Sequence, residues 1–207
     1  MTRWGAVTSP ARTAADLART LDFASALIAA DECTALVLGG FPDGAGSGGL
    51  ARLRGPQLRR RVAGCQERAG NLLRNASSEA PCRVGARRVA AVAAWVDPAA
   101  ESPGESFSRA RLIMAGVPRP IVGFPVMGDD GRSYVADLAW LPQRVIGEVD
   151  GYGKYSDGRE ALIREKHRED ALRARGWGFV RWTVAEMLTR PEVVVARVQR
   201  ALRRGVA

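Results

Sequence analysis

The sequence predicts an α/β fold of the α+β kind: a mixed β-sheet flanked by helices and preceded by a small helical region. Three observations carry this. From Ser102 onward the local patterns run helix, three strands, helix, strand, helix, an order that builds a mixed sheet covered by helices. The middle of that run, Tyr134–Asp150, reads YVADLAWLPQRVIGEVD, two β-branched and aromatic runs about a proline turn. Upstream, between Thr13 and Val96, apolar residues recur at helical spacing. The expected division is residues 1–100 as a mainly helical region and residues 101–207 as the sheet-bearing domain.

Taken in order, Met1–Thr8 is short and apolar enough for a strand remnant. Leu17, Leu21, Ala24, Leu27 and Ile28 give one apolar face to a helix from about Thr13 to Ala30, with Ser9 or Thr13 as its cap. Gly39–Gly49, GGFPDGAGSGG, reads as a connecting loop, since it lacks the Gly-Lys-Ser/Thr end of a phosphate loop and Pro42 interrupts it. Leu50–Ala76 interleaves Arg52, Arg54, Arg59, Arg60, Arg61, Arg68 and Arg74 with apolar residues, as one or two basic amphipathic helices do. Those arginines either contact phosphates or form a solvated face. Arg83–Val96 reads as a further helix with Val84, Val89, Val92, Ala93 and Val96 inward.

Ser102-Pro103-Gly104-Glu105 is a capping box, with Ser as N-cap, Pro at N1 and Glu at N3. Its helix runs to about Ala115, carries Phe107, Ala110, Arg111 and Met114 on one stripe, and ends at Gly116. Ile121–Met127 is a strand, and Gly128-Asp129-Asp130-Gly131 a hairpin turn into the central stretch. After Asp150 come a loop, Gly151–Gly158, with Tyr152, Lys154 and Tyr155, and a charged helix over Arg159–Arg175 stopped by Gly176. Gly178–Thr183 is a strand, and Val184–Arg204 is helical with a restart at Pro191.

The chain of 207 residues is long enough for one good core, or one domain with a satellite. No apolar run approaches about 18 residues and nothing resembles a signal peptide, so a soluble, cytoplasmic protein without a membrane partner is expected. Cys33, Cys65 and Cys82 form neither a disulfide framework nor a zinc pattern and read as reduced structural thiols. The net charge of +9 favours a polyanionic partner, most simply nucleic acid, although the dominance of Arg over Lys also reflects a composition bias. Against that bias the two lysines, Lys154 and Lys166, and the single histidine, His167, stand out. A lysine in such a chain marks a place that needs a compact point charge, unless it stands there by chance.

A hairpin centred on Pro142–Gln143 pairs Trp140 with Val145 and, by the same count, Asp137 with Glu148. Partners in such pairs share a face with Cβ atoms roughly 4.5–5.5 Å apart. Asp150, two residues on, falls on that face too, so three carboxylates are expected to converge. Facing like charges destabilise a sheet, and buried carboxylates need a counter-charge. A divalent cation held by oxygen ligands is the natural candidate. The alternative, a solvent-exposed face of hydrated acids, fits poorly with Val135, Ala139 and Ile146 as neighbours.

These segments resemble a known family. SPGES (Ser102–Ser106), VADLAW (Val135–Trp140), GEVDGYGKY (Gly147–Tyr155), REKHRED (Arg164–Asp170) and GWGFVRWT (Gly176–Thr183) together look like the PD-(D/E)XK nuclease superfamily. Within it they resemble the very-short-patch-repair-like endonuclease domains common in actinobacteria, over essentially all of Ser102–Arg204. VTSPARTAADLART (Val7–Thr20) is similar to the linker that precedes such domains in proteins like the abortive-infection type IV antitoxins. A winged helix–turn–helix usually comes before that linker, and this chain is expected to lack it.

The resemblance implies a PD-(D/E)XK-type sheet and an Mg²⁺-dependent endodeoxyribonuclease, with Mn²⁺ as an alternative ion. Asp137 and Glu148 would hold the metal, with Glu105 joining from the helix. Asp150 stands where the family has a lysine, which leaves that function to Lys166 or Lys154, with Lys166 preferred. Arg164, Arg168 and Arg173, with the cluster around Arg59, Arg60 and Arg61, are candidates for backbone contacts to DNA. The alternative is a catalytically degenerate nuclease fold that binds nucleic acid or belongs to a toxin–antitoxin pair. A homodimer is a further open arrangement.

Overall fold

The structure, a computed structural model, describes residues 7–38, 56–80, 83–151 and 159–205, with side chains for all of these except 56–62, 159, 161 and 162. In chain order the elements are α1 (Pro10–Thr20), α2 (Phe23–Leu38), α3 (Pro56–Ser78), α4 (Ala86–Ala93), α5 (Pro103–Met114), β1 (Ile121–Met127), β2 (Ser133–Trp140) and β3 (Val145–Asp150). They continue with α6 (Arg159–Ala174), β4 (Gly178–Thr183), α7 (Val184–Thr189) and α8 (Pro191–Arg204). The fold is thus α+β, helices first and then a four-stranded mixed sheet, as the element order predicts. Among the described residues no helix is long and apolar enough to cross a membrane.

The described residues form two compact units that divide between Phe107 and Ser108, inside α5. The expected boundary lies between residues 100 and 101, ahead of that helix.

The first unit packs α1 to α4 around Ala14, Ala15, Ala18, Leu27, Ala30, Leu73 and Val89, all fully buried. Small residues along α1 and α2 let these helices approach closely. The helix expected from Thr13 to Ala30 is two helices, because Asp22 caps a new one: its Oδ1 accepts the N–H groups of Ala24 (3.0 Å) and Ser25 (3.1 Å). Ser9 is the cap of α1, with Oγ accepting the Arg12 N–H at 3.2 Å. Arg83–Val96 is helical only over Ala86–Ala93, since Gly85 enters with φ +76°. Val84, expected inward, therefore lies before the helix and is exposed. The buried carboxylates of Asp31 and Asp97 are knit into the unit: Asp31 accepts the Asp97 N–H at 2.8 Å, and Asp97 accepts Gln66 Nε2 at 2.5 Å. The strand expected over Met1–Thr8, the loop over Gly39–Gly49 and Cys82 lie wholly or mainly outside the described residues, while Cys33 and Cys65 are free thiols.

The second unit is built on the sheet β1-β2-β3-β4, antiparallel in its first two pairings and parallel between β3 and β4. Both turns form where turn residues stand. At the first, Gly131 takes φ +76° and Asp130 Oδ2 accepts the Tyr134 hydroxyl at 2.6 Å. At the second, the Arg144 N–H returns to Leu141 O at 3.2 Å. On one face of the hairpin Trp140 and Trp182 close over Gly147: a Cβ there would stand 2.8 Å from Trp182 Cη2 and 3.0 Å from Trp140 Cζ3. Both indoles find acceptors, Trp140 in Pro118 O (2.7 Å) and Trp182 in Ser108 Oγ (3.0 Å). Leu172 of α6 belongs to the core with Val126, Ala136, Ala139 and Ile146, edged by Phe124, Trp177 and Phe179. Met114, expected on the α5 stripe, is exposed at that helix's end. A strand's side chains alternate between faces, so seating Gly147 beneath two indoles sends Ile146 and Glu148 to the other side.

Candidate functional site

The acids stand at the open end of the β2–β3 hairpin. The observed pairs are Trp140↔Val145, Ala139↔Ile146 and Leu138↔Gly147. Counted one rung further, Asp137 stands opposite Glu148, and there regular pairing ends. Asp137 Oδ2 accepts the Val149 N–H at 2.8 Å, so a carboxylate takes the place of a main-chain acceptor. That bond fixes the Asp137 side chain beside Glu148.

Glu148 is buried, and its carboxyl is pushed up from 4.5 to about 7. Burial is the main cause and the neighbouring Asp137 charge the second, with Arg168 and Arg181 opposing both. The cation in contact is Arg168, from α6. Its Nη2 donates to Glu148 Oε1 and to Val135 O, both at 2.7 Å, and its Nη1 to Glu165 Oε1 at 3.0 Å. The exposures of the Arg168 and Glu148 side chains are 15% and 10%.

The pairing continues along α6 and β4. Arg181, directly across from Glu148 in the parallel register, donates to Glu165 and lies 3.1 Å from Glu169, which also pairs with Arg173 at 2.7 Å. Arg173 and Arg181 both lie over the Phe179 ring, at 5.1 and 5.9 Å. Burial pushes the Glu165 carboxyl up, but Arg181 and Arg168 outweigh it and hold the group below its ordinary value.

Several sequence expectations are corrected by this arrangement. The demand for a positive partner at Glu148 is met by a guanidinium. Arg168, a candidate for a DNA-backbone contact, makes three hydrogen bonds inside the unit. Asp150 does not complete a triad: among the described residues no group of three or more His, Cys, Asp or Glu side chains is arranged to hold a metal ion. Two residues along a strand is about 6.5 Å, and Asp150 lies across from Thr183 of β4, beyond the end of the β2–β3 ladder. Lys166 stands roughly 200° around α6 from Arg168. It is exposed, as is His167, so it sits away from the sheet-facing side.

Glu105 is buried in the first unit as the capping box requires. Its Oε1 accepts the Ser102 hydroxyl at 2.7 Å, its Oε2 the Glu101 N–H at 3.0 Å, and its own N–H donates to Ser102 Oγ at 3.2 Å. Arg164 is on the surface, 3.8 Å from an exposed Glu160. Arg59, Arg60 and Arg61 belong to α3, but their side chains lie outside the described part, and Lys154 lies outside the described residues altogether.

Sequence reasoning missed the cooperating residues Glu165, Arg181 and the inward role of Arg168. A signal was present: Glu165, Arg168, Glu169 and Leu172 recur at i, i+3, i+4 and i+7. Marking the stripe through Leu172 sets Arg168 on the core side of α6.

No family model matches the chain. Two curated relatives are similar to it: uncharacterised protein MT2308 of Mycobacterium tuberculosis strain CDC 1551 / Oshkosh and uncharacterised protein Rv2248 of strain ATCC 25618 / H37Rv. Each is 29% identical over 133 residues, 64% of this chain and 49% of the relative. The chain thus spans about half the length of the curated relatives it matches. No solved structure matches.

Proposed function

We propose that the second unit is a PD-(D/E)XK-type, very-short-patch-repair-like nuclease domain that hydrolyses DNA phosphodiester bonds in the cytoplasm. The observation that carries this reading is the pairing of Asp137 with a buried Glu148 held at about 7. Two carboxylates side by side on one face of the hairpin, one of them buried, are a donor set that suits a divalent ion. Mg²⁺ binds through one or two carboxylates and keeps several waters, so a two-acid set fits its chemistry. The motif resemblance over Ser102–Arg204 supports the same reading.

Asp137 and Glu148 would hold the ion, Mg²⁺ or Mn²⁺. Bound there, it supplies a Lewis acid for a phosphoryl oxygen and lowers the pKa of a water. The remaining roles belong to the chain. The Val149 N–H orients Asp137, as an outer partner orients a ligand. Glu148 changes protonation near neutrality, so it would offer a charged ligand above about 7 and a neutral carboxyl below. Arg168 and Arg181 keep Glu148 from rising further.

The test is cleavage of supercoiled and linear DNA with Mg²⁺ or Mn²⁺. Asp137→Asn and Glu148→Gln are expected to abolish it while keeping the circular dichroism of the parent. Cleavage that survives either substitution, or its absence from the parent on every DNA form, removes the reading.

A second reading is favoured by a specific observation. Arg168 already occupies Glu148, and Asp150 stands where the motif has lysine. A domain so arranged would bind nucleic acid, or a toxin–antitoxin partner, without cutting. DNA binding that ignores Mg²⁺ and Mn²⁺ alike, with no ion uptake by calorimetry, selects it.

A further inference from the structure

Arg168 makes three contacts through two nitrogens, and they differ in what they cost to break. Nη2 is shared between Glu148 and the Val135 carbonyl, and Nη1 belongs to Glu165. Loss of the Glu148 contact therefore leaves the guanidinium with two acceptors and no need to enter water. Glu148, by contrast, has Asp137 beside it, and when Arg168 lets go it keeps the field of Arg181 but loses its hydrogen-bonded cation. Arg168 is ion-paired with Glu148 at 2.7 Å, and it reaches that carboxylate from α6.

We propose that Arg168 and a divalent ion compete for Glu148, so that ion uptake proceeds by exchange, with Arg168 falling back on Glu165 and Val135. This rests on the reading of Asp137 and Glu148 as ion ligands. Arg168 is on this account a positioning residue: it keeps Glu148 turned toward the open end of the hairpin in the ion-free state, and its charge sets how tightly an ion is held. Glu165 sets the balance from the far side, because it neutralises the guanidinium that competes. Two substitutions with opposite signs follow. Arg168→Gln removes the competitor at similar length. Glu165→Gln, at a half-exposed side chain, leaves Arg168 with more uncompensated charge to hold against Glu148.

The experiment is Mn²⁺ binding to the full chain by isothermal calorimetry, with circular dichroism melting to check each variant. R168Q is expected to bind Mn²⁺ about tenfold or more tightly than the parent, from removal of one unit charge beside a dication. E165Q is expected to bind it more weakly, and D137N not at all. R168Q binding at or below the parent's affinity overturns the competition while the ligand reading stands. If R168Q does not hold its fold, E165Q decides, and an unchanged or increased affinity overturns the proposal. D137N and E148Q binding as the parent does, or no uptake by any variant, overturns the ligand reading and the competition with it.

Discussion

At the turn end of the β2–β3 hairpin Trp140 faces Val145, and both are buried among indoles and aliphatic side chains. At the other end Asp137 faces Glu148, the ladder stops, and a carboxylate accepts the Val149 N–H. One register dictates both ends, because alternation along β3 sends Gly147 under Trp140 and Trp182 and Glu148 to the opposite face. The turn end is held by packing and should be indifferent to pH. The open end is held by charges, and its stability should follow their titration.

The largest effect is expected from breaking the charged end. Arg168→Ala leaves Glu148 buried without its partner and should cost about 3–5 kcal/mol at pH 8. Urea unfolding at pH 8 and pH 5 checks it: at pH 5 Glu148 is protonated, and the loss should shrink to that of ordinary lost contacts.

The next concerns the parent's own pH dependence. Glu148 rises from 4.5 in the unfolded chain to about 7 in the folded one, so between these values the folded state binds the extra proton. Its share of stability is therefore present below about 4.5 and lost as pH rises through 7. That loss amounts to about 3 kcal/mol. Glu148→Gln should flatten this slope, and a slope unchanged in the variant would contradict the assignment.

Breaking the packed end gives a smaller and different signature. Gly147→Val places carbon against two buried indoles and should cost about 1–3 kcal/mol. The same loss should appear at pH 5 and pH 8. A control on the outer side of α6 sharpens the contrast: Arg164→Ala removes only an exposed pair with Glu160 and should change stability by less than about 0.5 kcal/mol.

Much of this hairpin was legible from sequence. Pro142 fixed the turn, the β-branched runs fixed the strands, and counting outward fixed which residues face each other. The helix restart at Pro191 and the stop at Gly176 were legible for the same local reasons. The break at Asp22 was not, because an acid in a helical run is also a common surface residue, and only its bonds to Ala24 and Ser25 reveal a cap. Arg168 as the ion-pair partner of Glu148 was not read, because it stood among the candidate DNA-backbone contacts and only the phase of α6 shows that it reaches the sheet. Asp150 was misplaced because alternation tells which face a side chain takes but not how far along it lies.

One consequence follows from the run of pairs Glu148, Arg168, Glu165, Arg181, Glu169 and Arg173. It holds equal numbers of acids and arginines, so its contribution to the chain's formal charge is nil. The excess of nine positive charges therefore resides wholly elsewhere in the chain. Any long-range pull on a polyanion would then originate away from the hairpin's acids, and raising the ionic strength should weaken it more than it weakens the buried Arg168–Glu148 pair.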